Sequence, residues 1–456
     1  MSASTAIAEG VFTLFQAGPR QVPFEYEGAR SEILASKTTA HICTALHGIS
    51  PVYDVSGPEA LEFLRSVCVN SLANFEVGQI RHAVLCNEKG QILTDGVLAR
   101  ISEDTYRSYW LAPVLEYRLL NSTFDVQGTD RTSEEFFIQV AGPRSLEILE
   151  QAAGEDLHDI RFARHRVAMI AGVPVRIIRL GMAGGLAYEL HGDMEDTEAV
   201  YRAIWEAGQR FGMKKLGQAA YMMQHTEAGF PNINLHYPLP WYEDPDLAAF
   251  FDTRPHSAMF NKYRELVGSV GNEIEDRFVT PLQVGWRKLV DFNHEFVGRE
   301  ALLKAAETDD RTAVTLVWNE EDVADIFASQ FRGRDVEPYD SIDERLVDMY
   351  FNTNGRSGFV YHADWVLDEK GDRIGTSTGR INSVFYRRMI SIGFVSKKHV
   401  EIGQELTVVW GRPGTPQKKV RATVARVPFF DLVNNNEVDV ETIPHPNLEV
   451  LHEPVS

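Results

Sequence analysis

Val314-Thr-Leu-Val-Trp-Asn319 and, further on, Asp372-Arg-Ile-Gly-Thr-Ser-Thr-Gly379 decide how the fold is read. The first is rich in β-branched and aromatic residues and opens a strand; the second has the glycine punctuation of a hairpin. Three short runs follow: Ile390-Ser-Ile-Gly-Phe-Val395, Glu405-Leu-Thr-Val-Val-Trp410 and Val420-Arg-Ala-Thr-Val-Ala-Arg-Val427. Their strand-like composition and alternation predict an all-β C-terminal module. Between them, residues 319–360 are polar, Asp-rich and irregular, and read as a long insertion.

Upstream the texture is mixed. Pro51-Val-Tyr-Asp-Val55 runs into Gly57-Pro-Glu-Ala-Leu-Glu-Phe-Leu64, and Phe136-Phe-Ile-Gln-Val140 into Gly142-Pro-Arg-Ser-Leu-Glu-Ile-Leu149. In each, a β-rich stretch ends at Gly-Pro and a helix begins, the proline suiting a first turn whose N–H is unpaired anyway. Two such strand–helix units predict paired α+β subdomains, although a chance recurrence of a common helix start is the alternative. His82–Cys86, Gln91–Thr94 and Val97–Ile101 read as strands around a turn at Asn87-Glu-Lys-Gly90, and Val175–Leu180 as another strand. Thr197–Phe211 has helical spacing, with Val200, Ile204 and Ala207 on one face. The expected domains are residues 20–305, holding both α+β units, and residues 306–456, the β module with its insertion.

The 456 residues are 44% hydrophobic, enough for two or three cores, and carry a formal net charge of −20. Such a surface argues against nucleic acid as a partner, since that affinity comes from Lys and Arg neutralising phosphates. No stretch has the roughly 18 apolar residues of a membrane span. The N-terminus lacks the basic start and apolar core of a secretory signal. Cys43, Cys68 and Cys86 are too few and too irregularly spaced for a disulfide framework or a zinc site. A cytoplasmic protein that needs no metal is the expectation.

Several residues stand out for chemistry. Asp95 lies inside the otherwise apolar hairpin Gly90-Gln-Ile-Leu-Thr-Asp-Gly-Val-Leu98; it either caps a turn or ends at a crevice. Gly181-Met-Ala-Gly-Gly-Leu-Ala-Tyr-Glu-Leu190 offers small residues past which a flat ligand can approach the backbone. Glu189 then supplies a carboxylate that accepts two N–H donors, unless it is a surface residue of a glycine-rich hairpin. The Met222–Met223 pair is core filler or a binding wall. Tyr237 and Tyr242, in Asn232-Ile-Asn-Leu-His-Tyr-Pro-Leu-Pro-Trp-Tyr242, are packing anchors or functional hydroxyls. Arg299 meets an anionic ligand bidentately, or else caps a helix or pairs on the surface.

Taken with Glu275-Asp-Arg-Phe-Val-Thr-Pro281 and Asp291-Phe-Asn-His-Glu-Phe-Val-Gly-Arg-Glu300, these words resemble one family. It is the folate-binding aminomethyltransferase superfamily (glycine-cleavage T-protein and relatives), and within it the tetrahydrofolate-dependent aryl O-demethylases of vanillate and syringate. The resemblance covers roughly residues 20–430. It implies an α+β cloverleaf of two mixed subdomains with a C-terminal β-barrel or jelly-roll module. It implies tetrahydrofolate as methyl acceptor and a methoxylated aromatic compound as the small-molecule donor. A sulfonium or N-methyl donor, or folate binding without transfer in a regulatory role, are the alternatives.

The resemblance also implies site residues. Tyr242, with Tyr237 as its rival, becomes the acid that helps the leaving oxygen, and Asp95 the group beside the folate's reactive nitrogens. Glu189 grips the pterin, with Tyr188, Trp286 and Arg299 also on the cofactor side. His47, Tyr221 and Tyr26 fall on the substrate side. Two departures stand out. The Arg-Asp element of T-proteins is replaced by Tyr221-Met-Met, and the demethylases also place Ala-Tyr there. Ile49 stands where the family carries a substrate-side histidine, with His47 a possible substitute from a shifted position.

Overall fold

The computed structural model describes residues 5–17, 20–182, 184–233, 235–254, 265–342, 350–351 and 359–447. Both Gly-Pro words do join a strand to a helix. Strand Val52–Ser56 leads to helix Ala60–Val67, and strand Glu135–Ala141 to helix Ser145–Ala153. The recurrence has a steric cause. Gly57 and Gly142 sit at φ +133° and +121°, and a Cβ there would come within 2.7 Å of the Asp125 carbonyl oxygen and 2.6 Å of the Thr39 carbonyl oxygen. Only glycine fits both constraints.

Each unit builds its own sheet. The first is antiparallel and five-stranded, in the order Ile80–Cys86, Ile92–Arg100, Thr105–Tyr109, Val52–Ser56, Gln127–Asp130. Sequence reading splits Gln91–Thr94 from Val97–Ile101, but the structure runs one strand straight through Asp95 and Gly96. The second sheet has six strands: His165–Ile170, Val173–Ile178, Ala187–Asp193, Glu135–Ala141, His41–Cys43, Lys214–Leu216. Only its last pair is parallel. Helix Thr197–Gln209 buries Val200, Tyr201 and Ile204 against this second core, close to the expected face.

The C-terminal module closes into a six-stranded barrel. Phe359–Leu367, Arg373–Ser383, Arg388–Ser396, Arg311–Trp318, Lys418–Ala425 and Glu405–Trp410 pair in turn, and Val366 opposite Val408 shuts the ring. Its strands alternate as the sequence does: Leu406, Val408 and Trp410 face Val420, Ala422 and Val424 inside. A closed barrel leaves no unpaired edge to protect. The insertion is more ordered than expected at its start. Asn319 caps helix Glu320–Ser329 by accepting from the N–H groups of Glu321 and Asp322, and Ile326 and Ile342 dock on the barrel core. Residues 343–349 and 352–358 of the insertion lie outside the described residues.

Two elements tie the parts together. Helix Gln218–Glu227 is buried along its whole length. Its Thr226 hydroxyl donates to the Gly379 carbonyl of the barrel (2.9 Å). Its Glu227 pairs with buried Lys37 (2.8 Å) while accepting from the Ser383 hydroxyl (2.6 Å). The segment after the barrel then returns across the second sheet. Asn435 accepts from and is backed by Arg179, donates to the Ala187 carbonyl, and leads to Val440 in the second core.

Candidate active site

A cavity of about 290 Å³ opens where the two sheets, the buried helix and the returning segment meet. Strand alternation explains which side chains reach it. On the first sheet, Asp95 and Val97 lie two apart on one strand, and Tyr109 lies opposite Val97, so all three share the inner face. On the second sheet, Glu189 and His191 are likewise two apart, with Phe137 opposite His191. Tyr188 and Leu190 point the other way, into the second hydrophobic core. Tyr221 and Met222 come from the helix, whereas Met223 is core. The methionine pair is therefore one wall residue and one filler.

The Tyr109 and His191 rings touch across the sheets, 4.2 Å between centroids. Behind them Arg107 holds the two sheets together. Its Nε and Nη2 donate to Asp54 (2.7 and 2.8 Å) on its own sheet, and its Nη1 donates to Glu135 on the other. Burial, with the nearby charges of Arg107 and Arg176, pushes the His191 imidazole down to about 3, so this ring is neutral at physiological pH.

Asp95 is held from two sides. His82 Nε2 lies 3.0 Å from Oδ2, and the Tyr237 hydroxyl donates to Oδ1 over 3.4 Å. His82 in turn sits edge-on to Trp286 (4.8 Å) and against Phe230 (5.3 Å), which pack on each other. His82 and Phe230 line the cavity, with Trp286 one ring behind them. His82 was not anticipated; its signal was the hairpin itself, which brings positions 82 and 95 together around the Asn87–Gly90 turn.

Glu189 is buried, lines the cavity and forms no ion pair among the described residues. Burial pushes its carboxyl up to about 7, with the cross-strand Gln139 drawing it back in part. A cationic or multiply donating edge is what such a carboxylate lacks. The pterin ring of a folate presents paired N–H donors, so the residue fits that group.

Gly181 and Gly184, before Glu189, both line the cavity, and Gly184 has a packing reason as well. At Gly184 (φ +83°) a Cβ would fall 2.3 Å from the Phe430 ring. Here the small residue makes room for the returning segment, whose Phe430 and Asn434 complete the cavity wall. The word Val427-Pro-Phe-Phe430 was the available signal for that wall.

The remaining expected site residues are not brought to the cavity lining. Tyr237 reaches the site only through Asp95. Tyr242 is half-buried against the first core. Tyr26 is buried elsewhere, its hydroxyl donating to the Ile7 carbonyl (3.0 Å). His47 accepts at Nδ1 from the Phe137 N–H (3.4 Å), while its neighbours Leu46, Ile49 and Ser50 line the cavity. Arg299 opens helix Arg299–Thr308 and donates twice to the carbonyl of Phe292 in the preceding loop (3.1 and 2.8 Å) and once to Glu300 (2.7 Å), the surface-pairing alternative. Ile49 lines the cavity, and among the described lining residues there is no Lys or Arg.

The chain is similar to proteins of known family and fold. The family described as GCVT N-terminal domain matches residues 13–236. A "Sesamin methylene transferase" of Sinomonas sp. (strain No.22) is 68% identical over 99% of both chains. A "Syringate O-demethylase" of Sphingobium sp. (strain NBRC 103272 / SYK-6) is 28% identical, over 93% of this chain and 94% of its own. The solved structure of the glycine cleavage system aminomethyltransferase T from Bartonella henselae shares the fold, with a TM-score of 0.65 at 18% identity, covering 94% of this chain and 96% of that one. The chain belongs to the folate-binding GCVT aminomethyltransferase family and is a tetrahydrofolate-dependent one-carbon transferase of the O-demethylase type.

Proposed function

We propose that the chain removes the methylene bridge of an uncharged methylenedioxy-substituted aromatic compound and delivers it to tetrahydrofolate, leaving two aryl hydroxyls. The observation that carries this reading is the cavity lining, which holds the carboxylates of Asp95 and Glu189 and, among the described residues, no Lys or Arg. A methoxybenzoate would bring its own carboxylate into that field with no Lys or Arg among the described lining residues to neutralise it, at a cost on the order of several kcal/mol for a buried charge without a counter-ion. The high identity to a sesamin methylene transferase supports the methylene over the methyl unit. A neutral ring finds instead Ile49, Trp110, Phe137 and Met222.

Tetrahydrofolate supplies the attacking nitrogen when bound. Glu189 anchors the pterin by its N–H edge, which fixes the distance between that nitrogen and the carbon under attack; such alignment is worth a large share of the barrier. Asp95, oriented by His82 and Tyr237, faces the reacting nitrogen and accepts the proton it sheds. Two C–O bonds break and two C–N bonds form, and the two N–H protons end on the two aryl oxygens. A neutral methoxyarene, giving up a methyl group, is the alternative donor. We also place the protein in the cytoplasm, where its three buried, unpaired cysteines stay reduced.

The test is an incubation with tetrahydrofolate and four donor classes: methylenedioxyarenes, neutral methoxyarenes, methoxybenzoates and a sulfonium compound. Folate products are followed by mass. Methylenetetrahydrofolate from the methylenedioxyarenes is the expected product, with methoxybenzoates the poorest of the aromatic donors. A methoxybenzoate or the sulfonium compound as best donor refutes the reading.

A further inference from the structure

Far from the cavity, the end of the returning segment meets the helix–loop of the second unit. His158 is buried beneath His445, their rings stacked 3.9 Å apart. His158 Nε2 lies 3.2 Å from the Ile443 carbonyl oxygen, which only accepts, so Nε2 carries the hydrogen. A neutral imidazole has a single N–H, which leaves a lone pair on Nδ1. Yet Nδ1 faces two more acceptors, Glu150 Oε1 at 2.7 Å and Asp156 Oδ1 at 3.1 Å. Something positive must lie among these three atoms. A proton, on the ring or on Glu150, satisfies His158 alone. The surroundings offer more, because His445 brings its Nδ1 to 2.7 Å from the other oxygen of Asp156. Ligand atoms of Asp156, His158 and His445 all lie within 4.8 Å of one another.

We propose that Asp156, His158 and His445, with Glu150 as a fourth donor, bind a divalent transition-metal ion of the zinc class. Two imidazoles and carboxylates are the donor set such an ion takes, with bonds of about 2.0–2.2 Å; the half-exposed His445 ring has to turn out of its stack on His158 to bring a ring nitrogen to the ion. The Nε2–H to carbonyl bond is the outer hydrogen bond that a ligating histidine makes, fixing the tautomer with Nδ1 toward the metal. Asp156 and His158 belong to the loop before strand His165–Ile170, and His445 follows the turn at Val440–Thr442, so the ion clasps two parts of the chain far apart in sequence. The clasped segment is the one whose Phe430 and Asn434 wall the cavity. No short motif announces the site, since its ligands are an Asp-x-His pair and a histidine near the other end of the chain.

The test uses the full chain, stripped of metal and titrated with Zn²⁺ by calorimetry at pH 7.5. His445→Ala removes a half-exposed ligand with little risk to folding, and Asp156→Asn is the second variant. One equivalent should bind to the unaltered protein, with affinity at least tenfold weaker in either variant. Co²⁺ in place of zinc should give visible ligand-field bands, and zinc should slow proteolysis of the segment after Phe430. No zinc binding, or equal binding in His445→Ala, overturns the proposal and leaves only a proton among these groups.

Discussion

Replacing Glu189 by Gln should stabilise the ligand-free protein more and more as pH rises from about 4.5 to 7, and should change little below that window. The carboxyl titrates at about 7 in the fold against an ordinary value of 4.5. Between those values the folded state holds a proton that the unfolded chain has lost, so stability falls as pH rises through the window. Below it the residue is neutral in both states and costs nothing by this route. Above it the full penalty applies: titration at about 7 in place of 4.5 corresponds to about 3 kcal/mol. Glutamine has the same shape and no charge to desolvate. The stability difference between variant and parent should therefore grow by about 2–3 kcal/mol from pH 5 to pH 8, several degrees in melting temperature. Thermal melts of both proteins at matched pH measure it, because titrations elsewhere cancel in the difference. A pH-independent difference would refute the reasoning, since it would mean that the carboxylate is not held against its hydration. The same substitution should weaken binding of tetrahydrofolate at pH 8 by roughly 10- to 100-fold, the loss of charge-assisted hydrogen bonds to the pterin edge. Stability gained and affinity lost at one atom is the signature of a strained binding group rather than a structural one.

Asp95→Asn should lower kcat on the order of 10²-fold while leaving the KM for tetrahydrofolate within a few-fold, because it removes a proton acceptor without emptying the space; steady-state kinetics on the preferred donor decides it. Lys37→Met should destabilise the protein by about 3–5 kcal/mol by leaving the buried Glu227 carboxylate with the Ser383 hydroxyl alone. Adding Glu227→Gln to it should recover most of that loss in a melting experiment, because the uncompensated charge is then gone.

The architecture was legible wherever a local rule decided it. Gly-Pro after an apolar run marked both strand–helix units because the glycines meet backbone carbonyls that no Cβ can approach. Alternation marked the barrel strands because their two faces have different solvents. The helix after Asn319 was hidden by its composition: its Asp and Glu residues read as a solvated loop, although an asparagine followed by three acids is an N-cap with charges suited to the helix dipole. In the site, Asp95, Glu189 and Tyr221 were legible by resemblance and by their neighbours' small size. Side-chain direction was not. Tyr188 differs from Glu189 by one step along a strand and so faces the opposite core, and Tyr242, in a loop without periodicity, gave no face to read.

The lack of Lys and Arg among the described lining residues sets this cavity's choice of donor apart from the rest of the site. On the proposed reading, Glu189 on the second sheet and Asp95 and His82 on the first, with Tyr237 donating to Asp95, would serve any donor whose carbon must be brought to a folate nitrogen. Selection among donors falls to the other wall, where Leu46, Ile49, Trp110 and Phe137 present hydrocarbon and ring faces. A polar side chain at position 49 would offer a substrate hydroxyl or carboxylate a partner; isoleucine offers it none from that position. The penalty for a buried unpaired polar group is about 1–3 kcal/mol, and more for a charge. One side chain at this position can therefore separate donors of like shape by tenfold or more without touching the folate machinery. Ile49→His, on this reasoning, changes which ring is accepted and leaves the affinity for tetrahydrofolate where it was. Equal fold losses for neutral and carboxylated rings in that variant would place selectivity elsewhere in the cavity.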